Sequence, residues 1–214
     1  MRLASLLLFA ALAPWVAGAD APADARAAER LEAAIRGLSS LRAEFRQTVT
    51  DAKGVETERA EGTVTLAKPG RFRWAYRVPP QLIVSDGTTV WLYDEDLEQV
   101  TVRPAADSLA GSPALLLSGQ SDLEAEYDIA DGGDADGLAW SRLTPRSADG
   151  DFRELRVGIA GTEMRRMLLV DRLGQTTRLE FERIERNPRL DAGEFRFTPP
   201  PGVDVVGRAP ADGA

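Results

Sequence analysis

The sequence predicts a mainly β domain, in which about eleven strands form an antiparallel sheet and short helical segments cover part of it. Three observations support this fold class. Apolar residues alternate with polar residues at a period of two through most of the chain. Turn-forming residues separate these runs at the short spacing of hairpins. Helical segments do not alternate with the strands, as a parallel sheet would require.

The first 19 residues are predicted to be a secretory signal peptide. Arg2 supplies a positive start, residues 3–13 an apolar run, and Ala17-Gly18-Ala19 a cleavage site of small residues. A retained N-terminal anchor is the alternative interpretation. We expect residues 20–206 to form one domain that works outside the cytoplasm, and residues 207–214 to form a disordered polar tail.

Residues 24–38 predict the first helix. Arg and Glu occupy one side of it, and Ser39-Ser40 follows as a plausible stop. Four apolar residues recur at helical spacing on the other side: Leu31, Ala34, Ile35 and Leu38. We expect this stripe to pack on the sheet.

From residue 41 onward the hydrophobic period changes from that of a helix to that of a strand. Phe72, Trp74 and Tyr76 share one face of a strand whose other face carries arginines. Residues 83–100 predict three adjacent strands, joined by an Asp86-Gly87 turn and by an acidic turn. The other predicted strands are 41–49, 61–67, 71–78, 123–129, 138–143, 152–159, 164–171 and 175–186.

Two segments depart from the strand pattern. Residues 105–119 contain small residues, a proline and three consecutive leucines, which favour one or two short helices. A long connection whose leucines fill the core is the alternative. The segment EFRFTPPPGVDV, residues 194–205, predicts a last strand or turn before the tail.

The number of strands predicts an apolar cavity. A twisted sheet of about eleven strands closes into a barrel, splits into a sandwich or curls. Two short helical segments cannot cover the whole apolar face of such a sheet. A barrel or a curled sheet therefore leaves apolar space for a guest, whereas a sandwich would fill the space with its own side chains. The directions of Trp91 and Tyr93 are open, because their run is apolar on both faces.

The composition excludes several classes of chemistry. The chain has no His and no Cys, so catalytic triads, Cys-His dyads and metal sites built on His or thiolate are excluded. The acidic turn at 94–98 does not continue with the Gly and Glu of an EF-hand loop. A net charge of −8 gives no electrostatic basis for nucleic-acid binding. We expect no metal, cofactor or catalytic residue, with a secreted carboxylate-pair hydrolase as a remaining alternative.

Four segments, in order along the chain, resemble the periplasmic outer-membrane lipoprotein carrier family, LolA. They are the first helix running into LRAEFRQTVTD, then EGTVTLAKPGRFRW, IVSDGTTVWLYDEDLEQVTV and the terminal FRFTPPPGVDV. The resemblance extends from about residue 25 to residue 206. It implies an incomplete, strongly curved antiparallel barrel of about eleven strands, with short helices as a lid over an apolar cavity. It also implies a monomeric periplasmic carrier that is not an enzyme.

The resemblance further implies three kinds of partner. Acylated lipoproteins would be the cargo, an ATP-driven exporter in the inner membrane would supply them, and an outer-membrane receptor would accept them. The residues expected to line the lipid-binding cavity are apolar or aromatic and lie on predicted strands and helices: Phe72, Trp74, Tyr76, Ile83, Leu92, Leu31, Ile35, Leu115 and Leu116. A lipid-binding or lipid-sensing half-barrel module of an envelope-stress pathway is the alternative function.

Lys68 is expected to act as a latch for the lid. The family typically has an Arg immediately before the Pro of the KPGRF segment, and hydrogen bonds from that Arg to carbonyls of the lid hold the lid shut. This chain has Lys68 at that position. Because a lysine is a point charge on a flexible stem and not a planar fork of donors, a latch made by Lys68 should be looser.

Overall fold

The computed structural model describes residues 22–105, 123–147 and 150–209. Helix α1 spans Ala23–Ile35, a single helical turn α2 spans Leu123–Glu126, and a 3-10 helix spans Ala192–Phe195. The strands are β1 (Ser40–Thr50), β2 (Glu56–Ala67), β3 (Arg71–Val78), β4 (Pro80–Asp86), β5 (Thr89–Asp94), β6 (Gln99–Pro104), β7 (Tyr127–Ala135), β8 (Leu138–Pro145), β9 (Phe152–Ala160), β10 (Glu163–Asp171), β11 (Thr176–Arg186) and β12 (Asp204–Gly207). The predicted signal peptide, Leu115, Leu116 and the end of the predicted tail lie outside the described residues.

The strands form one curled, open sheet in the order β12-β6-β5-β4-β3-β2-β1-β11-β10-β9-β8-β7. Strands β1 to β11 pair antiparallel with their neighbours, so the predicted fold class is confirmed. Strand β12 is a twelfth strand, and it pairs in parallel with β6. A parallel partner is possible because a connection of 17 residues, running from the end of β11 to the start of β12, first crosses the sheet.

Some predicted boundaries are wrong. Residues 123–126 form α2, so the strand predicted to begin at 123 begins at Tyr127. Helix α1 ends at Ile35 and not at 38, because Arg36 is extended and Gly37 has a positive φ of 74°. Strand β12 includes Gly207, which the sequence had assigned to the tail.

The two faces of the sheet differ because residues that pair in register lie on the same face. The inner face, defined as the face that carries Phe45, Trp74 and Phe181, holds one continuous apolar cluster. Helix α1 packs over this inner face, and its Leu31 and Ala34 belong to the same cluster. The apolar stripe of α1 and the inner face of the sheet therefore bury one another.

The C-terminal segment covers part of the opposite, outer face. Arg42 of β1 forms an ion pair with Glu194, with Nη2 and Oε2 2.9 Å apart. The guanidinium of Arg71 on β3 lies 5.5 Å from the ring centroid of Phe195. Beyond these contacts the chain continues past Phe197 and reaches β6, where it forms β12. The protein thus covers the apolar part of its outer face with its own C-terminal segment.

Gly62 allows the inner face to pack tightly in the middle of the sheet. It lies opposite Phe45 on β1, next to a register shift between β2 and β3. A Cβ built at Gly62 would overlap the carbonyl oxygen of Ala75 and would lie 2.9 Å from Cε1 of Phe45. Because a paired backbone cannot move away as cheaply as the end of a flexible side chain, this position requires glycine.

Replacing Gly62 with Ala should lower the free energy of unfolding by about 1–3 kcal/mol, the usual cost of overpacking a core. Urea unfolding followed by tryptophan fluorescence measures this change. Gly150→Ala is the matched control, because nothing lies within 4 Å of a Cβ built at Gly150 and its φ is not positive. Equal unfolding free energies for the two variants would contradict this account of Gly62.

Candidate functional site

The apolar cluster beneath α1 is the candidate functional site. Leu31 of α1 is fully buried in it, and Phe72 and Trp74 of β3 are each 6% exposed. Four further residues predicted to line a cavity pack against the cluster and are partly buried: Tyr76, Ile83, Leu92 and Ile35. The structure therefore brings together seven of the nine predicted lining residues, and the other two, Leu115 and Leu116, lie outside the described residues.

Aromatic rings form the centre of this cluster. The ring centroid of Phe45 lies 5.2 Å from that of Trp74 and 5.0 Å from that of Tyr76, and Trp74 lies 6.4 Å from Phe181. The tilted and edge-on arrangements are those that aromatic rings favour. Sequence reasoning had not assigned Phe45 and Phe181 to the cavity. Each is a single aromatic residue between charged neighbours, which is the pattern of a strand with one buried face.

The first part of α1 is attached to β7 and β8 by polar contacts. Arg30 Nη2 donates to Oδ1 of Asp131 over 3.1 Å and to the carbonyl oxygen of Trp140 over 3.3 Å. The hydroxyl of Ser141, which is fully buried, donates to the carbonyl oxygen of Ala27 over 3.1 Å. These bonds fix the position of α1 across one end of the open sheet.

The C-terminal end of α1 is held by side chains from distant parts of the chain. The last carbonyls of a helix have no partner within the helix. Three side chains donate to carbonyls at this end: Lys68 Nζ to Ile35 (3.1 Å), Arg186 Nη1 to Ala34 (3.1 Å) and Asn187 Nδ2 to Gly37 (2.8 Å). We call these three residues the α1 clamp. The clamp satisfies the polar groups that would otherwise oppose the packing of the helix end on the sheet.

Lys68 occupies the position in which the sequence predicted a latch, and it contacts the proposed lid through Ile35. Burial, and after it the charge of Arg186, lower the pKa of Lys68. Both effects oppose the charged form of the amine, whereas the negative end of the helix dipole favours it. The contact exists; the role of Lys68 as a latch stays a prediction.

A small cavity lies beside the C-terminal end of α1. Its volume is about 20 Å³, and it is lined by residues of α1, β1, β10 and β11 and of the turn after α1: Ala34, Leu38, Leu41, Met164, Phe181, Ile184 and Arg186. This volume has room for about one water molecule. At this cavity, the end of α1 therefore packs closely against the inner face.

A larger groove of about 470 Å³ lies elsewhere on the sheet. Its lining is mostly polar or charged: Arg46, Thr48, Arg59, Ala60, Glu61, Val78 and Glu180. Because apolar ligands require an apolar lining, this groove is a poor candidate for the predicted cavity.

Trp91 and Tyr93 lie on the outer face, which answers the question that the sequence left open. Trp91 pairs in register with Val84 and Val102, which are buried but do not belong to the inner cluster. The ring of Phe197 from the C-terminal segment lies 6.4 Å from Trp91 and 5.7 Å from Tyr93. These two aromatic residues therefore anchor the C-terminal segment and do not line the candidate site.

Two further findings concern residues 22–105, 123–147 and 150–209. None of the helices in these ranges combines the length and the apolar character needed to cross a bilayer. No three His, Cys, Asp or Glu side chains in these ranges are grouped so that they could hold a metal ion.

The curled open sheet, its aromatic inner face and the helix clamped over that face define a half-barrel protein with a covered apolar interior. The chain matches the family model described as "Outer membrane lipoprotein carrier protein LolA" over residues 36–198. The chain therefore belongs to the LolA family, and the resemblance seen in its sequence is confirmed.

Curated relatives and a solved structure agree with this assignment. The chain is 44% identical over 186 residues to the outer-membrane lipoprotein carrier protein of Dechloromonas aromatica, covering 86% of this chain and 89% of that protein. It is 41% identical over 202 residues to the protein of the same name from Methylobacillus flagellatus, covering 94% and 96% respectively. A LolA superfamily structure from Nitrosomonas europaea, 11% identical, has a TM-score of 0.50 and covers 83% of this chain and 99% of its own, which supports the fold alone.

Replacing Asn187 with Asp should loosen the end of α1. The variant keeps the side-chain oxygen that accepts a hydrogen bond from the backbone N–H of Ser39 at 2.8 Å. The amide nitrogen that donates to the carbonyl oxygen of Gly37 becomes a carboxylate oxygen, which repels the carbonyl oxygen of Gly37. We expect the free energy of unfolding to fall by about 1 kcal/mol, and amide exchange to accelerate in the last turn of α1. Ser39→Ala, which removes only a 3.1 Å hydroxyl contact to Asn187, is the control. Unchanged exchange in Asn187→Asp would contradict the clamp.

The raised pKa of Tyr76 predicts that the free energy of unfolding decreases at high pH. Burial, followed by the charge of Glu58, raises the pKa of Tyr76 to about 12, whereas an unfolded tyrosine titrates near 10. The folded protein thus keeps this proton while the unfolded chain loses it, so stability falls as pH rises from 10 towards 12. Tyr76→Phe should flatten this fall in urea unfolding measured between pH 9 and roughly 11.5. Parallel pH profiles of the two proteins would contradict the shift.

Proposed function

We propose that this protein is a periplasmic chaperone for lipid-modified proteins. It accepts them after release from the inner membrane, shields their acyl chains on the inner face of the sheet, and delivers them to an outer-membrane receptor. The observation that supports this function most directly is the single apolar cluster under a short clamped helix. The relatives named outer-membrane lipoprotein carrier protein support the same cargo class.

The physical task of such a carrier is to keep acyl chains out of water. Each methylene group transferred to water costs about 0.8 kcal/mol, so a chain of roughly 16 carbons costs on the order of 10 kcal/mol. The carrier must offer an apolar surface of comparable quality while it remains in water itself. The inner face, with its aromatic centre and aliphatic border, is such a surface.

The helix must move for acyl chains to enter. The cavity beside the C-terminal end of α1 holds about one water molecule, so an acyl chain does not fit at this place while α1 stays packed there. Displacing α1 exposes Leu31 and the residues it covers, and the acyl chains then replace the helix on the same apolar surface. Helix and cargo compete for one surface, so the net free energy gained on loading is smaller than the free energy gained by burying the acyl chains. Because the net gain is small, the carrier can release its cargo without an energy source of its own.

The proposed partners follow from the direction of transfer. An ATP-driven exporter in the inner membrane supplies the cargo, and a receptor at the outer membrane binds the acyl chains more tightly than the carrier does. The carrier acts as a monomer. Its net charge of −8 disfavours adsorption to anionic membrane surfaces between the two steps.

A dye-displacement experiment tests the function. An environment-sensitive apolar dye should bind the purified protein at a ratio of one site per molecule, and a triacylated lipopeptide should displace it. The same peptide without acyl chains should not displace it. Native mass spectrometry of protein purified from its own periplasm should show bound acylated protein or peptide. Failure of the lipopeptide to bind or to displace the dye would refute the proposed function.

Replacing Lys68 with Leu should leave cargo loading intact and impair onward transfer. Without the donor to Ile35, α1 returns to the sheet with a smaller gain in free energy, so it displaces the acyl chains less effectively. The measurement is the fraction of bound lipopeptide that passes to purified receptor, together with the loading ratio.

Two variants control this experiment. Lys53→Leu removes the other lysine of the chain, which lies exposed in the turn between β1 and β2, and should transfer normally. Lys68→Arg restores the residue typical of the family and should transfer at least as well as the unchanged protein. Normal transfer by Lys68→Leu would remove Lys68 from the mechanism.

A further inference from the structure

The indole nitrogen of Trp74 is a buried hydrogen-bond donor without an acceptor. Trp74 lies on β3, is 6% exposed, and its Nε1 has no hydrogen-bond partner among the residues that the structure describes. It faces the inner cluster, because the residues paired with it, Val64 on β2 and Ile83 on β4, belong to that cluster or pack against it. The donor therefore lies within the surface that the proposed function assigns to acyl chains.

Two other polar groups of aromatic residues have partners among the described residues. The hydroxyl of Tyr76, two residues further along the same strand face, donates to Oε1 of Gln47 over 3.2 Å. The indole nitrogen of Trp140 donates to the carbonyl oxygen of Ala135 over 3.2 Å. Since an unsatisfied buried donor opposes folding, the N–H of Trp74 is an exception that requires an explanation.

The neighbours of Trp74 that the sheet register and the ring contacts define carry no side-chain oxygen. Its ring contacts are Phe45 and Phe181, and its partners in register are Val64 and Ile83. An aromatic face is at best a weak acceptor for an N–H group. A phenylalanine at this position would fill less of the space but would leave no donor unsatisfied. The larger ring of tryptophan therefore brings a polar group that the described residues do not satisfy.

We propose that the Trp74 N–H donates a hydrogen bond to the carbonyl oxygen of a fatty-acyl ester in the lipid cargo. This inference rests on the proposed function. When an acyl chain is buried on the inner face, the ester that joins it to glycerol is carried onto the apolar surface and loses water from its carbonyl oxygen. A donor placed among the apolar side chains compensates that loss. One hydrogen bond then satisfies two groups that would each be unsatisfied alone.

This contact makes the site selective for acyl esters over other apolar chains. A surface made of hydrocarbon alone binds alkyl chains according to their length and ignores how they are attached. A buried donor instead favours ligands that bring an acceptor to it and penalises ligands that do not, because the donor then stays unsatisfied. Trp74 would thus act as a specificity residue in addition to its contribution to the apolar surface.

The test compares two lipopeptides that differ only at the linkage. One carries two alkyl chains on glycerol through ester bonds, and the other carries chains of the same length through ether bonds, which lack the carbonyl oxygens. We expect the unchanged protein to bind the ester form on the order of five- to tenfold more tightly than the ether form, by isothermal titration calorimetry. In Trp74→Phe this ratio should fall to about one. Because both affinities are measured with the same protein, a general loss of apolar contact in the variant weakens both lipopeptides equally and leaves their ratio unchanged.

Two further measurements make the assignment specific. Trp140→Phe removes an indole N–H that already has a partner, the carbonyl oxygen of Ala135, and that lies outside the inner cluster, so its ester-to-ether ratio should stay that of the unchanged protein. In protein labelled with 15N at the indole nitrogens, the Trp74 Nε1 proton should move downfield with the ester lipopeptide and not with the ether. This second measurement needs no variant for the comparison, so it remains decisive if Trp74→Phe does not fold.

The possible outcomes separate this inference from the proposed function. Binding of neither lipopeptide overturns the function itself. Binding of both with equal affinity by the unchanged protein preserves the function and overturns the role of Trp74. A preference for the ester that persists in Trp74→Phe, or that appears without a shift of the Trp74 signal, assigns the carbonyl to another donor and also overturns the inference.

Discussion

The packing of one short helix on an aromatic sheet face is the interaction on which this structure depends. Helix α1 is 13 residues long, which is marginal for an isolated helix in water, so its stability comes from the sheet. The part of the inner face beside α1 equally requires a cover, since Met164 and Phe181, which line the small cavity next to Ala34, would otherwise meet water. Helix and sheet thus stabilise each other through a contact that acyl chains can imitate. Under the proposed function, the empty carrier satisfies its own apolar site with its own helix.

The attachment of α1 combines polar and apolar contacts. Arg30 and Ser141 form hydrogen bonds along the helix, and the α1 clamp forms them at its C-terminal end. Each such hydrogen bond adds only about 1 kcal/mol in net terms, because the groups bond to water when the helix is displaced. The apolar contact is the larger part, and under the proposed function it is the part that cargo replaces. The polar bonds would then define where the helix returns, while the apolar surface would decide whether helix or cargo occupies it.

Local patterning was sufficient for the strands and for most of the site. Alternation in RFRWAYRV placed Phe72, Trp74 and Tyr76 on one face, and the structure confirms that arrangement. Features that depend on distant pairing were not predictable. Trp91 lies in a run that is apolar on both faces, and only the position of Phe197, far along the chain, fixes its direction. Asn187 lies 150 residues from the carbonyl that it caps, so no local motif connects the two.

The clamp combines two cations at one helix end, and this arrangement sets the strength of the closed state. The negative end of the helix dipole attracts Lys68 and Arg186, but burial of the amine and the mutual repulsion of the two charges offset that attraction, as the lowered pKa of Lys68 indicates. A planar Arg in place of Lys68 could spread its charge over several acceptors, whereas Lys68 makes one 3.1 Å contact on a flexible stem. The clamp thereby fixes the position of α1 on the sheet but adds little to the free energy that keeps it there. Under the proposed function, a carrier that opens for its cargo without an energy source of its own requires that combination, because a tighter clamp would raise the cost of loading by the same amount that it favours release.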